Sequence, residues 1–592
     1  MRTRSRTSSF AALARGAVAG TLAVLQLHAV AADAPAADWP WHGLNAAATR
    51  YASLDQINAG NVHRLSEAWT FHSGIKATFQ TTPVVVGERM YVSLPFSHVV
   101  ALDATNGREL WRYTHERGSG KLCCGPASRG VAVAQGRVFV GTVDARLVAL
   151  DADTGRVLWN VAVRDEAGGA GAATAAPATS GMNRADAVAA QPVVGASGVG
   201  VAMAPLVVDG LVLVGVNGVG YGVHTRDAVV GLADTPTRSG FLAAFDLHTG
   251  ARRWQFDVTG PGWAGPMAQA GVDGLPAWRD LAQEKAALAQ HADAWRAGGG
   301  SIYSTPALDR ARGLVFFGTG NPSPIMEDST RPGDNLHTSS LVALDVRTGK
   351  RVWHYQQVPH DLWGLDVSSP PVLFDLQQEG RSIPALAQPS KLGWVYVHDR
   401  RDGRLLFRSS PFVPQQNLLS VPTAQGVLMA PGIAGGANWS PSAYDPAQGT
   451  LFVPGIDMPT RYRVQDGEDG RPYVVGEPEG RRDGTLTALD LQNGGAIRWQ
   501  RQIGEPAIGG VLATAGHLLF SGLGGQTFGA LDSRTGQTLW QTRCDAGVNA
   551  PPITYAVGGT QYVAVAVGGN ALFGFTQGDE LKVYRLAAPA RD

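Results

Sequence analysis

The chain has 592 residues, with 49 Lys and Arg balanced by 49 Asp and Glu, 75 Gly, and a charged fraction of only 17%. The length is ample for a large buried core, and the balanced charge excludes a nucleic-acid partner, which would need a basic face. Beyond the N-terminal segment, no apolar run is long enough to cross a bilayer as a helix.

Read from the N terminus, residues 1–31 predict a signal peptide. Arg2, Arg4 and Arg6 precede an apolar stretch, and Ala29-Val30-Ala31 forms a small-residue cleavage site. Arg15 and His28 interrupt the stretch and leave it short for a membrane anchor. The mature chain, 32–592, is therefore expected to be periplasmic or secreted.

A short phrase then recurs: an apolar pair, an Asp, a Gly four residues on, and an aromatic four residues after that. Its copies are Asp103/Gly107/Trp111, Asp151/Gly155/Trp159, Asp246/Gly250/Trp254, Asp345/Gly349/Trp353, Asp399/Gly403/Phe407, Asp490/Gly495/Trp499 with one extra residue, and Asp532/Gly536/Trp540. Each predicts a strand, a turn and a strand, with Asp capping the turn, Gly taking positive φ and the aromatic facing inward. A β-rich partner precedes each copy, beginning near Pro83, Gly130, Pro205, Pro306, Pro370, Pro441 and Gly510. An eighth, at Pro551, lacks its own phrase, whereas Trp69 has no partner before it; pairing the two would close a ring. Two hairpins per repeat make a four-stranded blade. The expected fold is all-β, a single eight-bladed β-propeller with tryptophan-docking repeats over 32–592.

Three segments depart from the repeat. Residues 164–200 are rich in Ala, Gly, Ser and Thr, Asp227 to Ser239 is polar, and 276–297 carries the one expected helix, ended by Gly298-Gly299-Gly300. All three are expected to project as functional loops. Of three Cys, Cys123 and Cys124 are adjacent. They are either a strained vicinal disulfide, since neighbouring Cα atoms lie roughly 3–4 Å apart, or two reduced thiols. Cys544 is left as a buried thiol.

The chain resembles the pyrroloquinoline quinone (PQQ)-dependent alcohol and sugar dehydrogenases. The resemblance runs from Asp38-Trp39-Pro40-Trp41 and Thr49-Arg50-Tyr51 through Cys123-Cys124-Gly125-Pro126-Ala127-Ser128-Arg129-Gly130, Gly318-Thr319-Gly320-Asn321 and Arg331-Pro332-Gly333-Asp334-Asn335. It ends at Ala550-Pro551-Pro552-Ile553-Thr554-Tyr555. Pro359-His360-Asp361-Leu362-Trp363 with Asp366 is closer to the membrane glucose dehydrogenases. PQQ is a flat tricarboxylic ortho-quinone, so its site needs apolar faces, cations for the carboxylates and polarisation at the quinone oxygens.

The resemblance implies that Cys123 and Cys124 form a vicinal disulfide on one face of PQQ. It further implies that Arg129 binds a carboxylate, Thr142 and Ser301 donate hydroxyls, Lys391 sits near the reactive oxygens, and Asn438 makes a further contact. Asp334 is then the base that takes the substrate hydroxyl proton, and Asn321 and Asp334 hold Ca²⁺. Some positions depart from the family pattern. Gly220 stands where a Glu ligates calcium, Gln80 replaces a pocket Glu, Tyr303 replaces a stacking Trp, Ile508 replaces another pocket Trp, and Leu336 is not the acid of lanthanide-using members. The expected activity is oxidation of a small alcohol or sugar, with hydride passed to PQQ. No Cys-x-x-Cys-His haem motif is present, so electrons are expected to leave to a separate cytochrome c or quinone. The competing reading is a non-enzymatic propeller used as a binding or assembly scaffold.

Overall fold

The computed structural model of the chain describes residues 37–117, 122, 125–164, 199–219, 222–224, 229–231, 239–267, 270, 274, 279–467 and 470–587. Cys123, Cys124, Gly220, the expected signal segment and most of 164–200 lie outside them. The one α-helix among the described residues is Leu281–Ala287, followed by a 3₁₀ turn at Ala294–Ala297. This is shorter than the sequence pattern predicts. Asp280 caps the helix by accepting from the Ala282 and Gln283 amides, but no residue of the helix is buried, so no packed apolar face carries it further.

Eight antiparallel sheets built on four strands carry the rest of the chain. The first consists of Val84–Val86, Arg89–Ser93, Val99–Asp103 and Glu109–Tyr113. The last consists of Ile553–Val557, Thr560–Val567 and Glu580–Leu586, completed by the N-terminal strand Leu65–His72. In that pairing Trp69 lies opposite Val583, so the two ends of the chain share one sheet.

The recurring phrase explains how the sheets join. In each turn the Asp carboxylate accepts backbone amides; Asp151 Oδ1, for instance, takes Thr154 N at 2.9 Å. The Gly that follows sits at positive φ and, except at Gly495, where Ser409 and Phe407 stand instead, receives the indole of the preceding sheet against it. A Cβ on Gly155 would lie 2.5 Å from Trp111 Cε3, so both conformation and space demand glycine there. The six tryptophans of the phrase also each donate to a carbonyl of the next sheet, from Trp111 to Ala152 O at 3.0 Å through to Trp540 to Leu65 O at 3.1 Å, whereas Trp69 Nε1 is buried without a partner. Trp69 lies against Gly107 in the same way and returns the series to the first sheet.

Two features fall outside the repeat. The fully buried Arg50 donates to the carbonyls of His42, Val511 and Pro552 and stacks on Trp39, pinning the N-terminal arm between sheets. A separate three-stranded sheet, Val427–Met429, Thr460–Asp466 and Pro472–Pro478, departs from the sixth blade. Its hairpin leaves the blade between the strands Thr450–Asp457 and Asp483–Asp490.

Candidate active site

One face of the ring gathers two kinds of loop. Segments leading into the first strand of successive sheets bring Gln80, Arg129, Ala202, Tyr303, Asp366 and Trp439 together, and segments after the second strand bring Asn217, Asn321, Lys391, Met458 and Asn570. These residues line one cavity of about 450 Å³, within the range of small-molecule sites. Ser301 and Asn438 also line it, whereas Thr142 and Asp334 are not among its lining residues. Gly125 and Ala127, which follow the Cys pair directly, form part of the wall.

Arg129 is fixed from both sides by its backbone, with its N–H on Ala202 O at 2.9 Å and its carbonyl accepting Thr82 N at 3.0 Å. Its guanidinium carbon lies 4.7 Å from the Trp439 ring centroid and 5.4 Å from that of Tyr303, and Nη1 donates to Tyr303 O. Arg129 Nε is buried without a partner. Burial pushes the group down to about 10, which leaves it charged at neutral pH. Trp439, Ile456, Ile508 and Phe575 form an apolar cluster against which Tyr303, Met458 and Phe573 pack. Trp439 thus supplies an aromatic wall that the motif containing Asn438 did not advertise.

Across the cavity Lys391 donates to Gly364 O at 2.7 Å and Ile433 O at 3.1 Å. Gly435 permits this placement, because a Cβ there would lie 2.2 Å from Lys391 Cγ. Lys391 Nζ is also 2.7 Å from Asp366 Oδ1, although Oδ1 accepts no directed hydrogen bond; the contact is an ion pair by distance rather than by angle. Asp366 Oδ2 accepts the Tyr303 hydroxyl. Burial first, and the Asp366 charge second, hold that hydroxyl well above the usual tyrosine range, so it remains a donor. The turn that delivers Asp366 is drawn by Asp361, whose Oδ1 accepts Trp363 N at 3.0 Å and Leu365 N at 3.1 Å.

The remaining expected residues are engaged elsewhere. Thr142 Oγ1 donates to Asp144 Oδ1 at 2.5 Å and accepts Arg146 N at 2.9 Å, closing a turn. Asn438 spends its amide on Ala434 O and Trp439 N, and Ser301 Oγ bonds the Val219 backbone. Asp334 Oδ1 accepts Arg279 Nη1 at 2.6 Å, and Oδ2 accepts Met267 N at 2.8 Å. Arg331, in the same motif, is fully buried and donates to four backbone carbonyls and to Asn335 Oδ1.

Comparison with known proteins decides the family. The model for the glucose/ethanol/alcohol dehydrogenase PQQ β-propeller domain matches residues 39–419 and 481–563. The chain belongs to the PQQ-dependent dehydrogenase family. The unmatched interval between those two stretches contains the extra sheet, together with Trp439 and Met458 of the cavity wall. A quinohemoprotein alcohol dehydrogenase of Comamonas testosteroni is 31% identical over 91% of this chain and 73% of its own. Among solved structures, a quinohemoprotein alcohol dehydrogenase from Pseudomonas putida aligns with a TM-score of 0.75 at 28% identity, over 94% of this chain and 82% of its own. A europium-containing methanol dehydrogenase aligns with a TM-score of 0.74 at 28% identity, over 93% and 98%.

The cavity fits PQQ: Trp439, Met458, Phe573 and Ile433 give it an apolar lining, Arg129 and Lys391 are buried cations, and Arg129 Nε and Asn217 Oδ1 are orphaned buried polar atoms of lining residues. The fit for a divalent cation is poor. Asp334 is already paired with a guanidinium, Asn321 Nδ2 donates to Asp361, and the described residues contain no group of three His, Cys, Asp or Glu able to hold a metal.

Proposed function

We propose that the chain is an exported quinoprotein dehydrogenase that oxidises an alcohol or sugar hydroxyl and passes the electrons to a separate cytochrome c or quinone. Its membership in a PQQ-dependent family and its alcohol-dehydrogenase relatives support the reaction class. The observation that carries the reading at the level of residues is Arg129, a buried cation beside two aromatic rings that lines the cavity and has an unpartnered N–H. Its planar fork suits a PQQ carboxylate, and Ser301, Gln80 and Asn438 complete the polar contacts. Tyr303 and Trp439 supply apolar faces. The vicinal disulfide of Cys123 and Cys124 belongs to the same proposal, beside the wall formed by Gly125.

PQQ, when bound, accepts the hydride and its two electrons. The chain's own residues hold the cofactor, exclude water and take up the hydroxyl proton. Ca²⁺ fits poorly here, since Asp334 would have to exchange Arg279 for the ion.

Titration of purified apo-protein with PQQ, alone and with Ca²⁺ or La³⁺, followed by dye reduction with a panel of alcohols and sugars, tests the proposal. Stoichiometric binding and substrate-dependent dye bleaching are expected. A folded protein that binds no PQQ under any of these conditions would return the scaffold reading.

A further inference from the structure

A divalent cation collects several oxygens, carboxylates foremost, and cannot share them with a fixed protein cation. The candidate carboxylates here are already committed. Asp334 gives Oδ1 to Arg279 at 2.6 Å and Oδ2 to the Met267 amide at 2.8 Å. Arg279 also holds Glu284 through two contacts at 2.6 Å, and Glu284 Oε2 accepts Gly333 N at 2.8 Å. Asp361 is fully buried and accepts from Trp363 N, Leu365 N, Asn321 Nδ2 and Ser339 Oγ. Asp366 is paired with Lys391 and accepts the Tyr303 hydroxyl. Gly220, at the position where the resemblance expects a ligating Glu, has no side-chain oxygen to add.

The cavity wall carries the positive charge itself. Its charged lining residues among those described are Arg129, Lys391, Arg482 and Asp366. Lys391 and Asp366 offset one another, so the net charge rests on the two arginines. Arg129 is buried with an unpartnered Nε. Arg482 has a side chain that is 41% exposed, stands over the Phe575 ring at 5.3 Å and donates to Phe573 O, while Glu505 at 3.8 Å is beyond hydrogen-bond reach. A flat tricarboxylate entering this space meets two guanidinium groups and no uncommitted carboxylate.

We propose that this chain binds PQQ without a metal ion: Arg129 and Arg482 meet the cofactor's carboxylates, and Arg279 closes Asp334 and Glu284 to any cation. The proposal rests on the quinoprotein reading above. An ion could reach a carboxylate oxygen of that pair only by displacing a buried guanidinium that makes three contacts at 2.6 Å. The same geometry says what removing Arg279 does. Asp334 and Glu284 both lie against one guanidinium, so without it they stand within reach of one ion.

The test starts from wild-type apo-protein dialysed against EDTA and titrates PQQ by absorbance in EDTA, Ca²⁺ or La³⁺, with the metal content of the loaded protein read by mass spectrometry. Stoichiometric PQQ binding in EDTA is expected, with affinities within about twofold under the three conditions and no stoichiometric metal in the protein loaded without it. Binding that needs Ca²⁺ or La³⁺, or that either ion tightens more than about tenfold, would overturn the proposal. Calorimetric titration of La³⁺ into Arg279→Gln is expected to show one site more than wild type; a folded variant without it would overturn the role given to Arg279. Arg482→Gln is expected to weaken PQQ about 2–5-fold, the worth of a partly exposed ion pair, and unchanged affinity would remove Arg482 from the proposal. The wild-type titrations decide the metal question whether or not Arg279→Gln folds. Failure of wild type to bind PQQ under all three conditions would instead sink the underlying quinoprotein reading.

Discussion

Asp334 and Asp366 are almost equally buried, at 4% and 5% exposure, yet they sit in different surroundings. Around Asp334 every strong contact is closed. Arg279 bridges it to Glu284, Glu284 Oε2 accepts Gly333 N at 2.8 Å, and His360 Nδ1 contacts Gly333 O at 2.8 Å while Nε2 meets Asp328 at 3.2 Å. Around Asp366 one oxygen accepts the Tyr303 hydroxyl and the other lies 2.7 Å from Lys391 Nζ, and all three residues line the cavity. Burial by itself therefore does not separate a structural carboxylate from one at a binding site; the company it keeps does.

The largest effect expected from breaking the closed side is on stability. Arg279→Ala would leave Asp334 and Glu284 buried without their shared cation, and removing one member of a buried ion-pair network costs roughly 3–5 kcal/mol. Chemical denaturation should show that loss, while the folded fraction still binds PQQ stoichiometrically in the absorbance titration. A variant of unchanged stability that had lost PQQ would move Arg279 and Asp334 to the cavity side of the comparison.

The sequence made one of these regions far more legible than the other. The blades were readable because each repeat is local: Asp151, Gly155 and Trp159 lie within a few residues, and each has a role that chemistry alone predicts. Only the docking of each aromatic onto the glycine of the next sheet needed the fold. Of the expected site residues, the cofactor contacts Gln80, Arg129, Ser301, Tyr303 and Asn438, the catalytic Lys391 and the metal ligand Asn321 line one cavity. The packing of the Arg331 to Asn335 motif shows only in the fold. Arg331 spends its guanidinium on backbone carbonyls, and the partner that closes Asp334 lies 55 residues away in an insertion without a signature. The extra sheet was also missed, although Thr460–Asp466 and Pro472–Pro478 flank Gly470 as a hairpin should. Its residues fall between two phrases of the repeat, where the repeat itself says nothing.

On the cavity side the expected effects are smaller and fall on ligand binding rather than on folding. Arg129→Gln keeps the shape of the side chain but removes a buried, charge-assisted donor. PQQ should bind about 10–150-fold more weakly, the equivalent of roughly 1.5–3 kcal/mol for hydrogen bonds to a charged group. The same titration measures it, and unchanged affinity would remove Arg129 from the carboxylate-binding role.

Tyr303→Phe sharpens the comparison most finely, because it deletes a single hydroxyl and leaves the ring against Arg129. The hydroxyl donates to Asp366, which is ion-paired with Lys391 on the same wall, so its loss loosens that wall without removing a cation. PQQ should bind about 2–12-fold more weakly, the equivalent of roughly 0.5–1.5 kcal/mol for one hydrogen bond. Burial and the Asp366 charge hold the Tyr303 hydroxyl protonated well beyond neutral pH, so the effect should be the same across neutral pH. Unchanged affinity in the absorbance titration would mean that the carboxylate held by Tyr303 takes no part in holding the cofactor, and the contrast between the two aspartates would lose its chemical content.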